Sequence, residues 1–161
     1  MITPSRLWKQ MTGEQRRLAA SALWGTEEAA NEQMQAIALI AKHMKFRPKT
    51  VSGLDPERKA RYLASVPDLP DEIAARLLIV YHLAEQRPMM GAFLDALGLP
   101  HENGMIDNNE APPDPTKLAA AAATIARVYP AQDVSLYLNT LVWQDPAAWG
   151  PLESVPEIAA P

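Results

Sequence analysis

The 161 residues read as an all-α chain, a compact multi-helix bundle of about seven or eight helices. Three observations carry this expectation. Apolar residues recur at three- and four-residue steps through most of the sequence. Helix-start signals, a Thr or Asp followed by Pro or by a Gln three residues on, stand between those runs. No stretch alternates apolar and polar side chains as a half-buried strand does.

The elements follow in order. Thr3-Pro4 sets a capping hydroxyl before a proline at the first helical position and opens a segment through about Gln10. Thr12 and Gln15 are spaced as a capping box, and the helix behind them runs to about Trp24 with Leu18 and Ala22 on one side. Glu27 and Glu28 suit the positive end of a helix over about 27–45, whose stripe is Ala30, Met34, Ile37, Ala41 and Met44. Pro48 ends or sharply bends that helix. Asp55-Pro56 starts a shorter one to about Ser65.

Pro70 and two acids open a helix over about 70–86, apolar nearly all round at 77–84, which is the pattern of a buried central helix. Arg87-Pro88 breaks it, and Met89, Met90, Phe93, Leu94 and Leu97 form the next stripe. Asp114-Pro115 starts an alanine-rich helix with Leu118, Ala122, Ile125 and Tyr129 on one face. Val134, Tyr137, Leu138, Leu141 and Val142 mark the last long helix, and Asp145-Pro146 a final turn. The length suits one domain over 1–161, with a polar, proline-rich connector at about 107–114 and an irregular tail from about 150.

Two segments resemble each other. Residues 39–48 and 78–88 share Leu-Ile, a histidine four residues after the leucine, and Arg-Pro, about 40 residues apart. That is the period of two-helix solenoid repeats, so a short solenoid-like arrangement is the alternative architecture.

Composition narrows the function classes. Hydrophobic residues at 48% and charged residues at 21% describe a folded globular chain. The absence of Cys removes disulfides, thiolate nucleophiles and cysteine metal sites. With no secretory pattern at the N-terminus and no apolar run long enough for a bilayer, a soluble cytoplasmic protein away from membranes is expected. Residues 1–61 hold 11 Lys/Arg against 6 Asp/Glu (+5), and residues 62–161 hold 4 against 13 (−9). Such a split suits an anionic partner, or two halves that attract within the fold or across a homodimer.

The densest polar cluster is 97–115, Leu-Gly-Leu-Pro-His-Glu-Asn-Gly onward. Gly98 after an apolar helical run reads as a left-handed helix cap, with Leu99 as the hydrophobic partner of a Schellman motif. Asn103-Gly104 reads as a turn. A calcium loop begins at Asp107 and Asn109 but is stopped by Ala111 and Pro112. The cluster is therefore a helix end and linker, in which the side chains of His101 and Glu102 are expected to be dispensable.

Three candidate sites remain. His43, His82 and His101 are the candidate metal ligands of a helical-bundle enzyme, but no Glu-x-x-His or His-x-x-x-His pair puts two ligands on one helix face. No bound metal or cofactor is expected; His82 is expected to be buried and paired with Glu85, and His43 to be solvated. The second candidate is the basic run Lys42, Lys45, Arg47, Lys49, Arg58, Lys59 and Arg61, flanking Phe46 and Tyr62, as a nucleic-acid face holding phosphates and stacking a base. An acidic chain with no phosphate loop or recognition helix ranks nucleic acid below protein. The third is tryptophan: Trp8, Trp24, Trp143 and Trp149 read as core, with one of the last two free to anchor a partner. No nucleophile elbow, Walker loop or dinucleotide fingerprint is present. The expectation is a non-enzymatic protein-interaction or scaffold module whose partner is a protein, a second copy or another chain.

Overall fold

The local start and stop signals do what their chemistry demands. In the structure, a computed structural model that describes residues 1–106 and 112–160, the described residues form ten α-helices and no strand. The all-α expectation holds, with more helices than the sequence suggested. The connector residues 107–111 lie outside the described residues, with the start of the calcium-like series.

By internal contacts the chain divides into two compact units, Thr3–Glu85 and Gln86–Pro161 with Met1–Ile2. The first holds α1 (Pro4–Gln10), α2 (Gly13–Trp24), α3 (Ala30–Met44), α4 (Pro48–Ser52), α5 (Pro56–Ala64) and α6 (Asp71–Glu85). In it α2 packs on α5 and α6, α1 on α6, and α3 on α4, α5 and α6.

The capping box at α2 is complete. Gln15 N–H donates to Thr12 Oγ1 at 3.0 Å and Thr12 N–H to Gln15 Oε1 at 2.9 Å. At α5 the Asp55 carboxylate accepts from Arg58 N–H at 2.8 Å. Thr3 does not cap α1 with its side chain; Asp71 reaches the Ser5 N–H instead, at 3.0 Å. Pro48 does more than end a helix. Its fixed φ suits a first helical position, and it begins α4. Helix α6 is buried on most of its circumference, by Ile73, Ala74, Leu77, Leu78, Tyr81 and His82 among others, as its apolar run predicts.

Two buried faces differ from expectation. On α2 the buried set is Gln15, Ala19, Ala20 and Leu23, with Leu18 and Ala22 only half-buried. On α3 it is Ala36, Ile40 and Ala41, so the predicted stripe is turned aside and Met34 stands 69% exposed. Alanines all around α3 blur the contrast that would orient it.

The second unit holds α7 (Arg87–Leu97), α8 (Leu118–Ala126), α9 (Ala131–Gln144) and α10 (Pro146–Trp149). Helix α7 packs on α8, and α8 and α10 on α9. Every residue of the predicted α7 and α9 stripes is buried. At the end of α7, Gly98 has φ +71°, Gly98 N–H donates to the Asp95 carbonyl and Leu99 N–H to the Leu94 carbonyl, both at 3.0 Å. That is the predicted Schellman pair. The tail is more ordered than its prolines suggest. It makes 3-10 turns at Gly150–Ser154 and Pro156–Ile158 and buries Leu152 and Val155. It is fastened to α9, where the Ile158 carbonyl accepts from Ser135 Oγ at 2.7 Å and from Asn139 Nδ2 at 2.9 Å.

Candidate functional site

The seven basic residues come from three neighbouring helix ends of the first unit. Lys42 lies in the last turn of α3, and Lys45 follows it as a left-handed cap with φ 59°. Arg47 caps α4 and Lys49 lies within it, while Arg58, Lys59 and Arg61 lie on α5. All are exposed except Lys59, which is half-buried. Those on α5 have local partners: Arg58 Nε is 3.8 Å from Asp55, Lys59 Nζ lies 5.3 Å over the Trp24 ring, and Arg61 lies 5.5 Å over Tyr62.

The other four differ. Among the described residues, Lys42, Lys45, Arg47 and Lys49 have no ion-pair partner. A structural reading covers two of them, since cations at the C-terminus of α3 complement its dipole. It extends to Lys49, in the last turn of the five-residue α4, and leaves only Arg47, at the N-cap of that helix, unexplained. Phe46 meets Tyr62 edge-on, ring centroids 5.8 Å apart, and fixes the segment after α3 against α5.

A groove of about 400 Å³ adjoins this face, lined by Leu39, Lys42, His43, Val66, Pro67 and Asp68. Its far wall is braced. Trp8 Nε1–H donates to the Val66 carbonyl at 2.9 Å, and Lys9 Nζ holds Asp68 at 2.7 Å. No local sequence signal marks this groove, because its walls lie more than twenty residues apart along the chain.

The histidines do three different things. His43 is exposed at the end of α3, on the groove rim. His82 is buried in α6, with Nδ1–H donating to the Leu78 carbonyl at 2.7 Å, while Glu85 is exposed. The expected burial is present, but the hydrogen bond described runs to backbone one turn back rather than to Glu85. Desolvation pushes the His82 pKa down to about 4, against the opposing pull of the Leu78 hydrogen bond. Among the described residues, no three His, Cys, Asp or Glu side chains gather as a metal ion requires.

His101 corrects the expectation that its side chain is dispensable. Nδ1 accepts from the Gly104 N–H at 3.0 Å, so Nε2–H donates to Asp95 Oδ1 at 2.7 Å. Its Cε1 lies 3.1 Å from where a Cβ on Gly91 would stand. Arg87 Nη1 adds a bond to the Asn103 carbonyl at 3.0 Å, so the 98–106 loop folds back on α7. Gly104 has φ +86°, and a Cβ there would meet Met90 Cβ at 2.9 Å. The described part of the polar cluster at 98–106 forms a latch on α7. Of the tryptophans, Trp8 and Trp149 are buried, Trp149 beside Phe93 at 6.0 Å, and Trp24 and Trp143 are half-buried.

No helix among the described residues is long and apolar enough to cross a membrane. No family model matches the chain, and no curated protein or solved structure is significantly similar to it. The described residues form an all-helical protein with a basic, aromatic-edged face beside a groove of mixed lining.

Proposed function

We propose that the chain is a non-enzymatic protein-interaction module that binds an acidic segment of a protein partner on the face built from Lys42, Lys45, Arg47, Lys49, Arg58, Lys59 and Arg61. The observation that carries this reading is the run of four exposed cations at 42–49 without ion-pair partners among the described residues. Like charges held close repel one another, and an acidic ligand relieves that repulsion. Two features favour protein over nucleic acid. Arg61 covers one face of Tyr62, which a stacked base would need, and Asp68 puts a carboxylate in the adjoining groove. The whole unit Thr3–Glu85 is also nearly balanced, 12 Lys/Arg against 10 Asp/Glu (+2), so its positive potential is local.

Fluorescence anisotropy at about 150 mM salt tests the reading with a glutamate-rich peptide and, in parallel, a DNA duplex and a single-stranded RNA. The expected result is saturable peptide binding that weakens at least tenfold in the Arg47→Glu, Lys49→Glu double variant. Micromolar binding of either nucleic acid with a steep salt slope replaces this reading with the nucleic-acid one. Binding of none of the three overturns the basic face as a docking surface.

A further inference from the structure

We infer that the groove between Leu39 and Val66–Pro67 seats an apolar anchor side chain carried by that acidic segment, an inference that rests on the proposed function. The groove's lining includes three apolar residues, Leu39 on α3 with Val66 and Pro67, beside Lys42, His43 and Asp68. Its charged rim is unequal. The Asp68 carboxylate is already held by Lys9 at 2.7 Å, whereas Lys42 has no ion-pair partner among the described residues. A ligand at this rim therefore meets uncompensated positive charge, which selects an acid beside the apolar side chain.

Met34 stands 69% exposed on the outer face of α3, and Ala38, also exposed, lies one turn further on beside Leu39. A single exposed methionine is unremarkable on a protein surface. Here it lies on the helix that supplies the groove's near wall, and Ala38 lets a chain approach that helix closely. Along α3 the order is Met34, Ala38, Leu39, Lys42, Lys45, apolar first and basic last. The complementary segment is apolar at one end and acidic at the other.

The groove needs little ordering to bind. Val66 is pinned by the Trp8 indole N–H on its carbonyl and by its own N–H to the Leu63 carbonyl at 3.1 Å. A wall held in this way loses little freedom when a ligand arrives. Its volume of about 400 Å³ is near the lower end of the roughly 300–1,000 Å³ of ligand sites. That suits an anchor residue better than a large cofactor.

Two synthetic peptides of equal length and charge separate the anchor from the charge: a glutamate-rich dodecamer with Leu-Leu at one end, and the same peptide with Ser-Ser there. Isothermal titration of the full chain is expected to show the Leu-Leu peptide bound on the order of tenfold more tightly. Leu39→Ser, at a half-buried position, is expected to cut that advantage to less than about twofold while leaving the Ser-Ser peptide unchanged. Ala38→Gln, at an exposed position, is expected to reduce it as well by crowding the approach. Lys42→Gln is expected to weaken both peptides alike. Equal affinity of the two peptides overturns the anchor and leaves the charge-driven reading standing. An advantage untouched by both Leu39→Ser and Ala38→Gln also overturns it. Binding of neither peptide overturns the proposed function itself.

Discussion

The two units use polar side chains in different ways. In Gln86–Pro161 they hold irregular chain in place: His101 ties the 98–106 loop to Asp95 and Gly104, and Ser135 with Asn139 grips the Ile158 carbonyl. In Thr3–Glu85 some do the same, Trp8 on the Val66 carbonyl and Asp71 on the Ser5 N–H, and others are local caps, such as Thr12 with Gln15 and Asp55 with Arg58. The densest charges of that unit, at 42–49, hold nothing together among the described residues. A polar group with a structural partner is accounted for by folding. One that is exposed and uncompensated is available to a ligand, and that contrast, rather than the density of polar residues, locates the candidate site.

The contrast is open to attack by mutation, and the largest effect is expected at Gly104. A Gly104→Ala side chain needs a left-handed backbone and space that Met90 and Arg87 occupy, so a loss of about 3 kcal/mol is expected in urea melts. A silent substitution there would mean that the loop is not held against α7.

His82 should show next, through pH. Its folded pKa lies near 4, below the ordinary 6.5, so from about pH 6.5 downward the unfolded chain takes up a proton that the folded chain refuses. The contribution of the neutral buried ring is complete above pH 6.5 and is lost as pH falls toward 4, amounting to roughly 3 kcal/mol. Denaturant midpoints measured across that window should decline more steeply for the wild type than for His82→Gln. Parallel curves would place a protonated ring in the core.

His101→Ala should cost about 1–2 kcal/mol, because the buried Gly104 N–H loses its acceptor, whereas exposed His43→Ala should stay within about 0.5 kcal/mol. Equal costs would erase the distinction between the units. The smallest effect belongs to Arg47→Ala and Lys49→Ala. Each should change stability by no more than about 0.5 kcal/mol, with peptide binding as the property that moves.

What the sequence disclosed was local. The Thr12–Gln15 box, the Asp55, Asp114 and Asp145 starts and the Gly98 stop each involve side chain and backbone within a few residues, and each is present with its expected hydrogen bond. The burial of α6, α7 and α9 was legible because large apolar residues dominate them. The orientation of α3 was not, since alanines at 30, 36, 38 and 41 give nearly every face a small apolar residue. The basic residues were visible as a run, but not which of them lacked partners. Nor was the role of His101, which depends on Asp95 and Gly91 a turn or more away in a different element, or the groove, whose walls meet only when α3 approaches the 66–68 segment.

The Ile158 carbonyl sets an order of events for chain synthesis. Ser135 and Asn139 are buried on α9, yet the acceptor they share lies 23 and 19 residues downstream. Until the ribosome has passed that point, a helix that is buried from Val134 to Val142 carries two polar groups whose common acceptor does not yet exist. The unit Thr3–Glu85 has all of its helices by residue 85, so vectorial synthesis lets it settle early while its neighbour waits for Ile158.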